Sequence, residues 1–423
     1  MLAGGRVAAA IEVLADIDAR HRPASEGLAD WGRSHRFAGS ADRSAIGDLV
    51  YDALRSKRSI AWCMGEDTPR ALAIGAFARS LVHDVERIDT IFAGDRHAPQ
   101  TLSDAERIAI RKADLSAAPD DVKADLPAWL WPTFQTRFGS RAGEEGAALA
   151  SRAPLDLRVN TLKADRDKVL KSLSKYSAEP TPWSPLGVRI AAKGHAGRLP
   201  NVQADAAFQK GWFEIQDEGS QICALLSGAG PGMQVADLCA GAGGKTLALA
   251  ALMQNKGQLH AYDADRHRLK GIFERLKRAG TRNVQVLEAG VPDQLAALTD
   301  RMDVVFVDAP CSGSGVWRRR PDAKWRLNEQ TLASRLEDQR QVLDMAVPLV
   351  KPGGRLIYVT CSLLLQENEA QVGAFLARHS RFDAAALGMS IDGLCAGIEE
   401  RLLLTPARHG CDGFFAATLR RKY

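Results

Sequence analysis

The run Val304-Val305-Phe306-Val307-Asp308-Ala309-Pro310-Cys311 predicts a buried strand that ends at a polar turn. A second run, Leu356-Ile357-Tyr358-Val359-Thr360-Cys361-Ser362, repeats the pattern later in the chain. Continuous apolar runs of this kind are typical of central strands in a parallel sheet. If the two strands are neighbours, their ends lie about 5 Å apart, and both thiols open into the crevice where open α/β sheets bind ligands. Two thiols in one crevice indicate covalent chemistry.

The chain beyond about residue 220 alternates predicted strands with helices, which favours a doubly wound parallel sheet. The predicted strands are 234–238, 258–262, 284–287, 303–307 and 355–359, and Pro352-Gly353-Gly354 predicts a turn into the last of them. Between about 150 and 220 the pattern indicates a small α+β domain of the split βαβ sort. Its predicted elements are strands at 155–160, 187–190 and 211–215 and a helix over 163–176.

The first 140 residues show helical periodicity and almost no strand signal. Two apolar stripes recur at helical spacing, Val7, Ile11, Leu14 and Ile17 in the first and Ile46, Leu49, Val50 and Leu54 in the second. A third helix is predicted over 71–91. A fourth is predicted to begin at Asp104, because Ser103 is a favourable N-cap. This part of the chain predicts an all-α domain.

Composition excludes several classes of protein. The chain of 423 residues is 46% hydrophobic and 25% charged, with a net charge of +5, which is ordinary for a globular protein of two or three domains. No apolar run approaches the roughly 18 residues of a membrane span, and the acidic, amphipathic opening segment is wrong for a signal peptide. Seven widely spaced cysteines form neither a disulfide framework nor a zinc pattern. We therefore expect a cytoplasmic protein with reduced thiols, no metal and no membrane contact.

A glycine-rich loop follows the first strand of the large sheet, in Asp237-Leu238-Cys239-Ala240-Gly241-Ala242-Gly243-Gly244-Lys245-Thr246. Its glycines allow close approach of the backbone to a ligand at a helix N-terminus. The ending resembles a P-loop, but Cys239 stands where that motif requires its first glycine. Asp263 ends the second strand, about 20 residues on, where an acid typically binds ribose hydroxyls. These features indicate a nucleoside cofactor and do not distinguish NAD from S-adenosylmethionine.

Several motifs together resemble the Sun/RsmB-type family of RNA cytosine-5 methyltransferases. They are the loop at 239–245, Asp308-Ala309-Pro310-Cys311-Ser312-Gly313-Ser314-Gly315, and Thr360-Cys361-Ser362. The resemblance spans about 150 to 423 and includes further motifs at 158–161, 216–220, 319–325 and 412–416. The N-terminal third is similar to a NusB-type helical RNA-binding domain, through residues 39–43 ahead of 49–51.

The resemblance implies three domains: an all-α NusB-like RNA-binding domain at 1–140, a small α+β RNA-binding domain at 141–222, and a class I Rossmann-like methyltransferase domain at 223–423. It implies S-adenosyl-L-methionine as cofactor and RNA as substrate, with ribosomal RNA favoured and transfer RNA as the other candidate. We expect a monomer. By the family's pattern the cofactor contacts Cys239, Ala240, Gly241, Ala242, Gly243, Gly244, Lys245, Asp263 and Asp308.

The family's chemistry needs a thiol, because cytosine C5 is too poor a nucleophile to attack a methyl sulfonium directly. Addition of a thiolate at C6 makes C5 enamine-like and replaces one hard step with two easier ones. The resemblance implies that Cys361 is the nucleophile, that Cys311 assists product release, and that Asp308 contacts the pyrimidine edge. DNA cytosine-5 enzymes place the nucleophile in the Pro-Cys motif, whereas a Thr-Cys-Ser thiol resembles the RNA branch. We expect Lys245 or a nearby arginine to supply positive potential to the thiolate.

The sequence departs from the family's pattern at two positions. Ala242 stands where the loop usually has proline, and Gly290 is the nearest match to an acid that usually touches the adenine. Adenine recognition then needs another group. Neither departure touches the chemical step.

A run of cations and aromatics at 317–320 and 324–326 follows Cys311. It fits RNA contact and a merely solvated face about equally well. Two other functions also stay open. A methyltransferase acting on protein or a small molecule would share the glycine loop, and a non-catalytic RNA-binding scaffold would share the basic residues. The paired thiols favour the RNA cytosine-5 reaction over both.

Overall fold

The computed structural model describes residues 1–192, 199–289 and 291–423, except for the side chain of Pro292. The chain forms two compact units. The first comprises Met1–Arg152 together with Val316–Asn328, and the second holds the remaining described residues. Gly290, where the sequence departs from the family's pattern, lies outside the described residues.

The first unit is helical. Its helices are α1 (Ala3–Arg20), α2 (Ala24–Ser34), α3 (Ser40–Arg55), α4 (Lys57–Met64), α5 (Pro69–Ser80), α6 (Val85–Ala93), α7 (Asp104–Arg111), α8 (Asp120–Lys123), α9 (Trp131–Phe138), α10 (Ala142–Leu149) and, from the later segment, α18 (Pro321–Arg326). The two predicted stripes on α1 and α3 contribute to one apolar core. Helix α7 begins at the predicted residue, where Ser103 and Glu106 form a reciprocal capping box.

The prediction of one helix over 71–91 is wrong, because the chain breaks between α5 and α6. Val82 and His83 have φ of 54° and 60°, in the left-handed region that ends a helix. Asp84 then caps α6 by accepting a hydrogen bond from the amide of Arg87. Apolar periodicity continues across the break, so it did not reveal a second start.

The basic and aromatic run after Cys311 belongs largely to the core of the helical unit. Trp317 is fully buried and stacks on Phe134, with ring centroids 6.5 Å apart. Lys324 is also fully buried, and the indole of Trp325 donates to the carbonyl of Leu54 at 2.7 Å. The aromatics and Lys324 are therefore not a stacking platform for bases, and that interpretation of the whole run is wrong. Arg320 is among the residues of the run that stay exposed.

The second unit begins with a four-stranded antiparallel sheet in the order β2-β3-β1-β4. Its strands are β1 (Leu155–Val159), β2 (Glu179–Pro180), β3 (Gly187–Ile190) and β4 (Phe213–Ile215). Helix α11 (Arg166–Ser172) is shorter than the predicted helix over 163–176 and is followed by α12 (Ala206–Gln209). The predicted α+β character is confirmed, and the two-residue strand β2 was not predicted.

The large sheet has eight strands in the order β10-β12-β9-β8-β5-β6-β7, with β11 also paired to β12. The strands are β5 (Gln234–Asp237), β6 (Gln258–Ala261), β7 (Val284–Val286), β8 (Met302–Asp308), β9 (Val350–Thr360), β10 (Phe382–Ala385), β11 (Arg401–Leu404) and β12 (Phe414–Arg421). Their helices are α13 (Glu218–Leu226), α14 (Gly244–Leu252), α15 (Arg266–Leu269), α16 (Ile272–Ala279), α17 (Pro292–Ala296), α19 (Glu329–Ala346), α20 (Glu369–Arg378) and α21 (Pro406–His409).

The predicted doubly wound sheet is confirmed, since β7, β6, β5, β8 and β9 are parallel in that order. The order reverses between β5 and β8, which is where open α/β sheets bind ligands. Strands β10, β11 and β12 were not predicted and add an antiparallel edge. The predicted turn at Pro352-Gly353-Gly354 is instead a bulge inside β9, where the pairing moves from Met302↔Val350 to Val304↔Arg355. Among the described helices, none has the length and apolarity needed to cross a membrane.

Candidate active site

The two strand-end cysteines lie side by side. Strands β8 and β9 are parallel neighbours, with Asp308 opposite Val359. Beyond them, the sulfur atoms of Cys311 and Cys361 are 3.4 Å apart, and both side chains are half-buried. The predicted adjacency of the strands is confirmed, and it places two thiols in one crevice.

The pKa of Cys311 lies well above its ordinary value. The main cause is its hydrogen bond to Cys361, followed by burial and by the negative charges of Cys361 and Glu367. Cys311 therefore keeps its proton in the neutral range and can donate it toward the other sulfur. A thiol donor beside a second sulfur stabilises negative charge on that sulfur.

A lysine–aspartate pair lies at the switch point. The ammonium of Lys245, at the start of α14, is 2.7 Å from Oδ2 of Asp308 at the end of β8, and lies 5.1 Å from the ring centroid of Phe414. Burial alone would lower the pKa of Lys245, but the charge and hydrogen bond of Asp308 outweigh it, and Cys223 and Cys361 act in the same direction. The pKa of Lys245 is raised as a result, so the side chain stays charged near Cys361.

The glycine loop has the backbone that a close ligand requires. Gly241 and Gly243 have φ of 51° and 86°, and a Cβ on Gly243 would lie 2.5 Å from Cγ1 of Ile272. Asp263 follows β6, and its Oδ2 accepts a hydrogen bond from the amide of Gly241 at 2.9 Å. Ala242, which replaces the usual proline, is exposed at the tip of the loop. The loop and Asp263 therefore fit a nucleoside cofactor, as the sequence predicts.

Residues of two further sequence motifs, 158–161 and 412–416, form hydrogen bonds to this loop and to the turns that carry the cysteines. Arg158 on β1 donates to the carbonyl of Gly244 at 2.9 Å, and burial lowers its pKa to about 10. At the other side, the amide of Gly413 donates to Gly315 at 2.8 Å, and the amide of Gly315 donates to the carbonyl of Cys361 at 2.9 Å. A Cβ on Gly315 would lie 2.0 Å from the carbonyl oxygen of Gly413, so this contact requires glycine.

Sequence reasoning missed Glu367, which is fully buried behind the thiols. Its carboxylate accepts hydrogen bonds from Ser312 and Ser362, the residues that directly follow Cys311 and Cys361. The sequence does show that a serine follows each of the two cysteines. It does not show which acid accepts hydrogen bonds from these serines. Among the described residues, no group of three or more histidines, cysteines and acids could hold a metal ion.

Comparisons with known proteins identify the family to which the chain is similar. The family described as "16S rRNA methyltransferase RsmB/F" matches residues 228–420, and the ferredoxin-like domain of RsmF/B-like methyltransferases matches residues 126–196. Ribosomal RNA small subunit methyltransferase B of Photorhabdus laumondii is 35% identical over 298 residues, which cover 70% of this chain and 66% of that protein. The protein of the same name from Erwinia tasmaniensis is 30% identical over 411 residues, covering 91% and 92%.

Two solved structures extend the comparison. The crystal structure of PH0851 is similar with a TM-score of 0.73 at 25% identity, over 100% of this chain and 99% of that one. A methyltransferase homologue from Pyrococcus horikoshii is similar with a TM-score of 0.60 at 26% identity, over 71% and 97%. Sequence and fold agree, and the chain belongs to the RsmB/F family of 16S rRNA methyltransferases.

Proposed function

We propose that the protein transfers a methyl group from S-adenosyl-L-methionine to C5 of a cytidine in ribosomal RNA, through a covalent bond between Cys361 and C6. The family and the class I fold supply the coarser part, a methyltransferase that uses S-adenosyl-L-methionine and acts on ribosomal RNA. The observation that carries the finer part is the 3.4 Å contact between two sulfur atoms beside the Lys245–Asp308 pair.

The thiol pair divides the labour of covalent catalysis. The Cys361 thiolate attacks C6, and the electrons of the C5–C6 bond move into the ring, which makes C5 nucleophilic. Once C5 carries the methyl group, its proton must leave before the C6–S bond can break. Cys311 is the base or proton relay for that step: it gives its thiol proton to the departing sulfur of Cys361, 3.4 Å away, and takes up the C5 proton in exchange.

Charge at the site favours the adduct. The ammonium of Lys245 and the thiol proton of Cys311 both stabilise negative charge at Cys361. Asp308 contacts the pyrimidine edge near N3, where protonation of N3 offsets the negative charge that develops in the adduct and the carboxylate accepts the resulting N3–H hydrogen bond. Lys245 holds that carboxylate in place.

The loop residues Cys239, Ala240, Gly241, Ala242, Gly243 and Gly244 would hold the cofactor through their backbone, with Asp263 on the ribose. Bound S-adenosyl-L-methionine supplies an electrophilic methyl group. The chain must orient that group toward C5 and exclude water from it. An enzyme acting on protein or a small molecule would need the same loop but would have no use for two thiols in contact.

RNA must be held so that one base leaves its stack and enters the crevice. The four-stranded sheet domain offers a suitable surface at half-buried Trp212. The ammonium groups of Lys168 and Lys210 lie 4.2 Å and 5.2 Å from its ring centroid. An aromatic between cations can stack a base and neutralise its phosphate, so residues 141–222 contribute to RNA binding in this proposal.

Two cysteine variants test the mechanism. Cys361→Ala should abolish transfer of labelled methyl groups to ribosomal RNA transcripts, because it removes the thiolate that adds to C6 in the proposed reaction. Cys311→Ala should accumulate a denaturation-resistant protein–RNA complex, since the adduct forms but is not released. Cys63→Ala is the matched control, because Cys63 is half-buried in the helical unit, and it should retain activity. Full activity of Cys361→Ala would show that the nucleophile is misassigned, and label on protein would exclude the RNA reaction.

A further inference from the structure

One buried carboxylate joins the two turns that carry the thiols. Oε1 of Glu367 accepts from the amide of Ser312 at 2.7 Å, and its Oε2 accepts from the hydroxyls of both Ser312 and Ser362. Gln339 of α19 donates to the same Oε1 at 3.0 Å and to the carbonyl of Pro310 at 2.9 Å. Glu367, Ser362 and Gln339 are fully buried.

The pattern of donors requires a carboxylate in particular. The hydroxyl oxygen of Ser362 already accepts from the amide of Leu364 at 3.0 Å, and that of Ser312 accepts from the amide of Ser314 at 3.3 Å. Each serine proton is therefore free to point at Glu367, which as a carboxylate only accepts. A glutamine in its place would direct an N–H at hydroxyls that already act as acceptors.

We propose that Glu367 is a positioning residue: its carboxylate, acting through Ser312 and Ser362, holds the two cysteine turns in one register so that their sulfur atoms stay in contact. The hydrogen bonds of its carboxylate come from Ser312, Ser362 and Gln339. Because Ser312 and Ser362 are covalently next to Cys311 and Cys361, a shift of either serine moves a thiol directly. Hydrogen bonds to a charged acceptor are about twice as strong as neutral ones, so this link is stiff.

The charge of Glu367 has a second, consistent effect. It is one of the causes that raise the pKa of Cys311. The same carboxylate therefore fixes the distance between the thiols and favours retention of the proton on Cys311. In the proposed reaction, on which the catalytic meaning of this inference rests, both effects help Cys361 to act first.

A thiol crosslinker measures the positioning without RNA or cofactor. Dibromobimane becomes fluorescent once both of its arms have reacted, so its fluorescence reports two thiols in contact, and Cys361→Ala gives the background. Glu367→Gln should slow the Cys361-dependent signal about tenfold or more, the factor that a lost hydrogen bond to a charged group carries. Glu218→Gln is the matched control, because Glu218 is equally buried and accepts from the amides of Trp183 and Ser184 instead. It should leave the crosslinking rate unchanged.

Variants of Ser312 and Ser362 test whether Glu367 acts through these two serines. Ser312→Ala and Ser362→Ala should each slow crosslinking. In the double serine variant Glu367→Gln should add clearly less than it does in the native protein, because only the amide of residue 312 and Gln339 still donate to its side chain. An equal effect of Glu367→Gln in that background, or no effect in the native one, would overturn the proposal. Should Glu367→Gln not fold, the two serine variants carry the test, and unchanged crosslinking in both would overturn it.

Methyl transfer then connects positioning to catalysis. Glu367→Gln should lower kcat while leaving the KM for RNA near the native value, because no RNA contact is removed. A native protein that does not methylate RNA would refute the proposed function and leave the crosslinking result intact. Native kcat in a variant with slowed crosslinking would refute the catalytic role of the positioning alone.

Discussion

Two lysines with little or no solvent exposure, Lys245 and Lys324, look alike in the sequence and differ in the fold. Lys245 lies beside Gly244 in the glycine loop, and Lys324 lies beside Trp325 in the basic run after Cys311. Lys245 bonds to Asp308 at 2.7 Å, and its pKa is raised. Lys324 donates to the carbonyl of Arg55 at 3.3 Å, and burial lowers its pKa to about 8 against the attraction of Asp125.

The difference lies in the immediate partner of each ammonium group. A carboxylate in contact keeps the first lysine charged in a place where, in the proposed reaction, a thiolate forms. The second lies between a backbone carbonyl and the ring of Trp325, 4.7 Å from its ammonium, and costs folding free energy as long as it stays charged. Burial of a cation alone therefore does not indicate function, whereas burial beside a reactive group and a fixed counter-charge does.

Removal of the charge should separate the two lysines most clearly in catalysis. Lys245→Met should lower the single-turnover rate of methyl transfer by about a hundredfold or more, the size of effect seen when a preorganised charge is removed from a site. Lys324→Met is the control and should keep its rate per folded molecule. Equal losses of the single-turnover rate in the two variants, measured with saturating cofactor, would contradict the proposed difference between the two lysines.

For the free energy of unfolding, the effect that sets the two lysines apart is expected at Lys324. Lys324→Met removes a buried cation whose charged form is disfavoured in the folded state despite Asp125, and we expect it to raise the free energy of unfolding by about 1–3 kcal/mol near neutral pH. The unfolded chain holds the lysine proton up to about pH 10.5, but the folded chain only to about pH 8. Between these values the unfolded state binds more protons, so the native protein gains stability as pH rises.

The advantage of Lys324→Met should therefore shrink from pH 8 toward pH 10.5. Denaturant unfolding at several pH values, followed by tryptophan fluorescence, measures it. A constant difference across that window would show that Lys324 holds its proton in the folded protein as firmly as in the unfolded chain.

The same contrast marks how far the sequence could lead. Strands β8 and β9 were predictable because their apolar runs are continuous, and the contact between Cys311 and Cys361 followed from the neighbouring strand ends. The role of residues 317–326 was not predictable, since their partners Leu54 and Phe134 are far away in the chain. Glu367 was missed for the same reason, because a buried acid becomes meaningful only when its donors are known.

The antiparallel edge was harder still. Strands β10 and β11 have four residues each, too few to show a period, and their pairing depends on β12 near the end of the chain. At the bulge in β9 the error was the opposite one, since a turn was predicted inside a strand. Pro352-Gly353-Gly354 has the composition of a turn, but the strand continues through it.

The smallest expected effect concerns what remains exposed of the basic run. Arg320 lies outside the buried cluster of Trp317 and Lys324, so it can reach a phosphate that they cannot. Arg320→Ala should weaken RNA binding about two- to fourfold near 0.15 M salt and reduce the slope of log Kd against log salt by about one. Trp317→Phe should leave the affinity of the folded protein unchanged, because its ring faces Phe134 and not solvent.

Arg335→Ala, which removes an exposed arginine paired with Asp338 on α19, is the matched control. Filter binding across a salt series separates the outcomes: a loss at Trp317 larger than at Arg320 would mean that the buried aromatic, and not the exposed cation, governs RNA binding by this segment.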